Sequence, residues 1–284
     1  MVSLSGPAER SSLLLSTDAV VSGVHFDLAF VTLADVGWKA LTVAVSDIAA
    51  MGGTPAHALV ALGAEPGTDL DAIVDGVAAA AERWRCPVVG GDLTTAAQLV
   101  LSVAVTGTLE GPGPAIHRSG ARPGDALFVT GPLGASAAGL RLLRDPFGPV
   151  GGLGDADRGA LEDAYRRPEA RLAEGSEARR SGATAMMDLS DGLGLDLHRL
   201  SGASGVGFVL DDVPVATGAT HDEAVGGGED YELLIAAPDD GSLEAGFAAH
   251  GLRQPLRIGV CTRDAGERRL RDEAFGATGY QHRF

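Results

Sequence analysis

Positive charge is scarce in this sequence. Its 284 residues include 22 lysines and arginines against 38 aspartates and glutamates, a formal net charge of −16. That balance argues against a nucleic-acid partner, because a phosphate backbone needs a basic face. It does not exclude small phosphorylated ligands, whose charge bound cations can offset. Lys39 is the only lysine, and no Gly-x-x-x-x-Gly precedes it, so a nucleotide is not held in the P-loop manner. Cysteine is almost as rare. Cys86 and Cys261 are too few for a disulfide framework and suit a reducing compartment. Neither Cys-x-x-Cys nor His-Glu-x-x-His occurs, so zinc is not expected. No apolar run approaches the roughly 18 residues of a membrane span, and the first seven residues lack the basic start and apolar core of a signal peptide. The expected compartment is the cytoplasm, with no membrane partner.

Helical and strand patterns alternate along the whole chain. Strands are expected at 12–17, 57–62, 98–109, 126–130, 184–188, 205–210, 231–236 and 256–260, with a short strand from Pro87 running into a Gly90-Gly91-Asp92 turn. Helices are expected at 32–51, with Thr32 as N-cap and Gly52-Gly53 as the stop, and at 69–85, 134–143, 168–181 and about 192–200. Residues 145–157, rich in Gly and Pro, read as an exposed loop. Gly111-Pro112-Gly113-Pro114 is the best linker, which divides the chain at 1–112 and 113–284. Each part mixes helices and strands, an α/β or α+β layer structure.

What the sequence does contain is aspartate where carboxylates are costly. Asp18 follows Leu13-Leu14-Leu15. Asp47 lies in Val43-Ala44-Val45-Ser46-Asp47-Ile48, and Asp92 closes Val88-Val89-Gly90-Gly91. Asp188 and Asp191 end Met186-Met187-Asp188-Leu189-Ser190-Asp191. A carboxylate at a core edge needs a positive partner. Several converging acids would suit divalent cations and the phosphates they carry. Each acid also has a plainer reading: a surface residue for Asp47, an Asx or ST turn at Ser16-Thr17-Asp18 and Asp92, and a helix N-cap at Ser190 or Asp191. Gly226-Gly227-Gly228-Glu229-Asp230 is either a hairpin loop or a ligand-facing loop. Gly131-x-x-Gly134-x-Ser136 is either a helix-opening turn or a phosphate cradle.

In combination, the strings narrow the choice. Ser16-Thr17-Asp18 followed by Gly23-Val24-His25-Phe26 resembles the start of the thiamine-monophosphate kinase family. Further blocks follow in family order: Asp35 to Leu41, Ser46 to Gly52, Val89-Gly90-Gly91-Asp92 and Arg118-Ser119-Gly120-Ala121. Asp188 to Leu193, Gly227 to Leu234 and Gly279-Tyr280-Gln281-His282 complete the set. The family opens with a Gly-Asp-Asp segment, whereas residues 1–17 contain no Asp. An upstream segment with one further acid is therefore expected to be missing. Ser22, Val74 and Ala135 stand where the family has Glu, an adenine-facing aromatic and Asp.

The resemblance implies a two-domain synthetase-like fold. Its N-terminal mixed sheet with helices would build a β-barrel shared across a homodimer, and a C-terminal α/β domain would follow. It implies ATP-dependent phosphorylation of thiamine monophosphate to thiamine diphosphate by in-line transfer, with Mg2+ bound. Ser16, Thr17, Asp18, Asp47, Asp92, Asp188 and Asp191 would be metal ligands, with Asp47, Asp92 and Asp188 central to catalysis. Gly91, Asp92, Arg118 and Ser190 would face ATP. His25, Glu229 and Tyr280 would face thiamine monophosphate. The alternatives are a non-catalytic thiamine-phosphate or nucleotide binder of the same fold, and another ATP-using member of the superfamily.

Overall fold

The computed structural model describes residues 2–5, 12–145 and 153–281. The first half builds a five-stranded sheet from β1 (Val2–Ser5), β2 (Ser12–Val21), β3 (Thr54–Ala64), β4 (Val88–Thr95) and β5 (Val100–Thr108). Its spatial order is β1-β2-β5-β3-β4, antiparallel except for the β3–β4 pair. Two helices, α1 (Leu33–Ala50) and α2 (Leu70–Trp84), cover one face.

Local chemistry explains the helix limits. Thr32 caps α1 through a capping box: its hydroxyl accepts from the Asp35 amide at 3.1 Å, and Asp35 accepts from the Thr32 amide at 3.0 Å. Asp69 caps α2 by accepting from the Ala72 amide at 3.2 Å, and Arg85 closes it in the left-handed region at φ 51°. The helices approach so closely that a Cβ on Gly76 would lie 1.9 Å from the Ala34 carbonyl oxygen. Trp84 spans the same contact, donating from Nε1 to the Thr42 hydroxyl at 2.9 Å.

The opposite face of this sheet is bare. Strand alternation places Thr17, Leu59, Ala61 and Asp92 there, all of them exposed. β4 is exposed along its whole length and forms a sheet edge. The expected turn at Gly90-Gly91-Asp92 is replaced by continuous strand. Glycine serves pairing here, since a Cβ on Gly91 would lie 1.9 Å from the Val60 carbonyl oxygen of β3.

The second half builds a seven-stranded sheet, in the order β12-β11-β8-β10-β6-β9-β7. Its strands are β6 (Ala126–Val129), β7 (Ala185–Asp188), β8 (Gly207–Leu210), β9 (Leu233–Ala237), β10 (Leu256–Thr262), β11 (Arg268–Leu270) and β12 (Glu273–Ala274). Its helices are α3 (Ala135–Arg144), α4 (Asp155–Arg166), α5 (Leu172–Arg180), α6 (Leu193–Ser204), α7 (His221–Gly226) and α8 (Ser242–Ala249). The central strands are buried on both faces. Leu127, Val129 and Leu234 pack with Leu193 and Leu197 of α6, whereas Phe128 and Ile235 pack with Ala178 of α5 and Phe247 of α8. A sheet covered on both sides needs apolar residues at every position, which accounts for the unbroken runs in β6, β7 and β9.

Several expectations are corrected. α4 begins at Asp155, inside the expected loop, while 146–152 lie outside the described residues. α5 starts at Leu172 rather than near Pro168. Residues 226–230 are no hairpin, because they lead from α7 into β9. β9 starts at Leu233, as Tyr231 takes a left-handed φ of 50°.

The α1–α2 contact leaves no room for a side chain at its crossing. Gly76→Ala is expected to destabilise the protein by about 1–3 kcal/mol, read as a lower denaturation midpoint in urea. An unchanged midpoint would contradict the packing.

Candidate active site

α1 carries the first part of the site. Its sequence is apolar nearly all round, and it lies against both the first sheet and the core beside the second, where Ala50 packs with Met186 and Leu233. Ser46 and Asp47, in its last full turn, therefore face the junction of the two halves. β2 brings Ser16 and Asp18 to the same place, both on its covered face. β7 ends there with Asp188.

Two short hydroxyl contacts bind the cluster. Ser16 donates to Asp47 at 2.7 Å, and Ser46 donates to Asp188 at 2.6 Å. Asp18 stands close enough to Asp47 for the two carboxyl groups to act on each other. Three carboxylates from three elements thus meet across 170 residues of sequence. Burial, with the charge of Asp47 added, pushes Asp18 up to about 7. Burial and the same negative neighbours hold Asp188 well above the usual carboxylate range, against the opposing pull of Ser46. The Tyr231 hydroxyl is raised too, by burial first and then by Glu229, Asp18, Asp188 and Asp191. Negative side chains thus dominate the surroundings of Asp18, Asp188 and Tyr231.

A cavity opens on each side of the cluster. The smaller, about 290 Å³, is lined by Asp47, Arg118, Ser119, Asp188, Ser190 and Arg199. The larger, about 680 Å³, takes Asp18, His25, Ser190, Asp191, Glu229 and Tyr280 into its wall. Seven of the expected residues thus join the acids Asp18, Asp47 and Asp188 or line a cavity beside them: Ser16, His25, Arg118, Ser190, Asp191, Glu229 and Tyr280. Three lie apart. Thr17 points from the bare face of β2 by alternation. Gly91 and Asp92 line a groove of about 480 Å³ between α2 and β4, with Val74 and Val77. Asp18 is level with Val103, Val60 and Gly91 across the sheet. Three strand spacings therefore put Asp92 roughly 14 Å from it. His282 lies outside the described residues.

Supporting residues emerge that sequence patterns do not reveal. Buried Asp196 accepts from the Ser190 and Asp191 amides at 3.1 and 2.9 Å and also binds Arg199 at 2.8 Å. Burial, only partly offset by these bonds, raises it to about 6. Arg199 also pairs with Asp191. α6 thus starts at Leu193 with Gly192 as its N-cap and no side-chain cap, and neither Ser190 nor Asp191 serves as one. The phosphate-cradle reading of residues 131–136 is corrected as well. The Gly134 and Ser136 amides are taken by Asp230, at 2.7 and 3.2 Å. Buried Glu232 is held by Arg171, Arg253 and Thr130.

Among the described residues, no group of three or more His, Cys, Asp or Glu side chains is placed so that it could hold a metal ion as it stands. The donor set nonetheless suits a hard divalent cation: carboxylate oxygens of Asp18, Asp47 and Asp188, with the Ser16 hydroxyl alongside. The raised acids point the same way, since they lack positive charge in proportion to their own.

The sign of the pH dependence follows. Asp18 holds its proton in the folded state up to about 7 and releases it near 4 when unfolded. Its contribution to stability is therefore full below about pH 4 and is lost as pH rises towards 7. In a chelator-treated sample, the melting temperature of Asp18→Asn should rise relative to wild type as pH goes from 5 to 8. A gap that does not change with pH would refute the assignment.

Comparison with known proteins places this geometry in a family. The model of the AIR synthase related protein N-terminal domain matches residues 3–109, and that of the C-terminal domain matches residues 122–271. The thiamine-monophosphate kinase of Bacillus subtilis (strain 168) is 36% identical over 233 residues, covering 78% of this chain and 70% of that protein. The crystal structure of the thiamine-monophosphate kinase from Stenotrophomonas maltophilia K279a aligns with a TM-score of 0.82 at 31% identity, covering 96% of this chain and 92% of that one. A structure of AaThiL complexed with AMPPCP and TMP aligns at a TM-score of 0.84 and 31% identity, covering 99% and 89%. With its acids gathered between two cavities on this shared two-part fold, the chain belongs to the thiamine-monophosphate kinase family of the AIR synthase related proteins.

Proposed function

We propose that this protein transfers the terminal phosphoryl group of ATP directly to the phosphate of thiamine monophosphate, forming thiamine diphosphate and ADP. The observation that carries the reading is the position of Asp18, Asp47 and Asp188. They stand between a cavity bordered by cations and a larger one with an aromatic and a carboxylate in its wall. The related structure complexed with AMPPCP and TMP supports the pairing of a nucleotide with a thiamine phosphate.

The roles divide by chemistry. Arg118 and Ser190, beside the acids, would bind polyphosphate oxygens. Tyr280 would stack on a heterocycle, and Glu229 would offset thiazolium charge, with His25 bordering the same space. The acceptor is a phosphate oxygen, largely ionised near neutral pH, so no strong general base is needed. What remains is positioning for in-line attack. Asp18, Asp47 and Asp188, with Ser16 and Asp191, would hold Mg2+. When bound, the ion would supply positive charge that offsets the charge of the phosphoryl groups.

Thr17 and Asp92 fit a homodimer. A second copy laid across the bare face of the first sheet would cover β4 and complete a barrel. That arrangement would bring Asp92 of the partner subunit towards Thr17, which shares the bare face, whereas within one chain three strand spacings keep the two strands roughly 14 Å apart. An edge strand exposed over eight residues favours such a partner. The cytoplasm is the compartment proposed for this reaction.

Purified protein with ATP, Mg2+ and thiamine monophosphate should yield thiamine diphosphate and ADP in equal amounts. Asp47→Asn should retain the fold by circular dichroism and lose at least about 100-fold in kcat, the size of a few kcal/mol of lost charge stabilisation. Tight thiamine monophosphate binding without ADP formation would show a binding protein instead. Light scattering should return twice the chain mass; a monomer at micromolar concentration would rule out the shared barrel.

A further inference from the structure

Lys39 is the only lysine of the chain, and it is 1% exposed. Burying an ammonium is costly unless its protons are matched. Here each direction has a partner. Nζ lies 3.0 Å from Glu229 Oε2, 3.5 Å from the His25 carbonyl oxygen and 4.0 Å from the centroid of the Tyr165 ring. A carboxylate, a carbonyl and an aromatic face together satisfy an ammonium.

Those three partners come from three separate pieces of the molecule. His25 lies in the turn after β2, Tyr165 is on α4, and Glu229 is in the segment between α7 and β9. All three line the 680 Å³ cavity, whereas Lys39 does not. The ammonium therefore stands behind the wall and ties its parts together. The Glu229 segment needs such a tie, because Glu229 and Tyr231 both adopt left-handed backbone conformations, at φ 66° and 50°, which cost side-chain-bearing residues energy.

α1 adds a length scale. Lys39 and Ser46 are seven residues apart on one helix and so share a face. The helical rise separates them by about 10 Å. Ser46 fixes Asp188 of the acid cluster, and Lys39 fixes Glu229 of the cavity wall. One rigid helix thus sets the distance between the phosphate end and the organic end of the site.

We infer that Lys39 is a positioning residue for the acceptor: it holds Glu229, His25 and Tyr165 at a set distance from the acid cluster, and so governs recognition of the thiamine moiety without touching it. The inference rests on the function proposed above.

Lys39→Met keeps the length of the side chain and removes its charge. The KM for thiamine monophosphate should rise roughly 10- to 100-fold, the effect of releasing one charged hydrogen bond. The KM for MgATP and the kcat at saturating acceptor should stay within about twofold. Equal losses in all three parameters, or no change in the acceptor KM, would overturn the inference. A second measurement uses the wild-type protein and does not depend on the variant folding. With 13C at the lysine ε-carbon, the chain gives one side-chain resonance. Thiamine monophosphate should shift it, and AMPPCP with Mg2+ alone should leave it in place. A stationary resonance while calorimetry shows thiamine monophosphate bound would refute the role of Lys39. Absence of binding would instead refute the function on which it rests.

Discussion

The constraint on which the structure depends is the burial of α1. The helix is apolar nearly all round and has core on more than one side: the first sheet, α2, and the residues next to β7 and β9. A helix in that position cannot turn its polar residues to water. Lys39, Ser46 and Asp47 must each meet a partner from elsewhere in the chain. The partners they find, Glu229, Asp188 and Ser16, come from the segment before β9, from β7 and from β2. The site is what results when a buried helix satisfies its few polar groups.

This arrangement explains why the acids persist at a cost. Asp18 and Asp188 are both disfavoured as anions by burial and by one another's neighbour Asp47. Hydrophobic residues of similar size would pack there without that penalty. Stored like-charge repulsion is sensible where a cation and a polyphosphate are to be received, since bringing in positive charge then releases strain rather than creating it. Asp196 illustrates the supporting expense. It is wholly buried in order to hold the amides of Ser190 and Asp191 in place.

Much of the fold was legible because its signals are local. Thr32 and Asp69 cap helices within three residues of themselves, and the apolar periodicity of α1 and α2 is continuous. The elements that escaped detection lack such signals. α4 is half charged and buries only Leu161 and Tyr165, α7 and α8 are six and eight residues long, and β1, β11 and β12 have four residues or fewer. In the site, aspartates at the ends of apolar runs were recognisable one by one. Their meeting was not, because it depends on contacts spanning 31 to 142 residues. Lys39 shows the limit best. From sequence it only excluded a P-loop, and its partner Glu229 lies 190 residues away. Gly90-Gly91 has the composition of a turn, yet both lie in β4, where Gly91 serves the close approach of β3.

Residues 229 to 232 point alternately to either side: Glu229 and Tyr231 border the larger cavity beside the acids, while Asp230 and Glu232 border a separate cavity of about 690 Å³ near α4 and α5. Four consecutive residues are thus a partition between two chambers. On the far side Asp230 seizes the start of α3, and Glu232 is clamped by two arginines. A change in the backbone of these four residues therefore alters the walls of both chambers, because the far side is bonded to the start of α3.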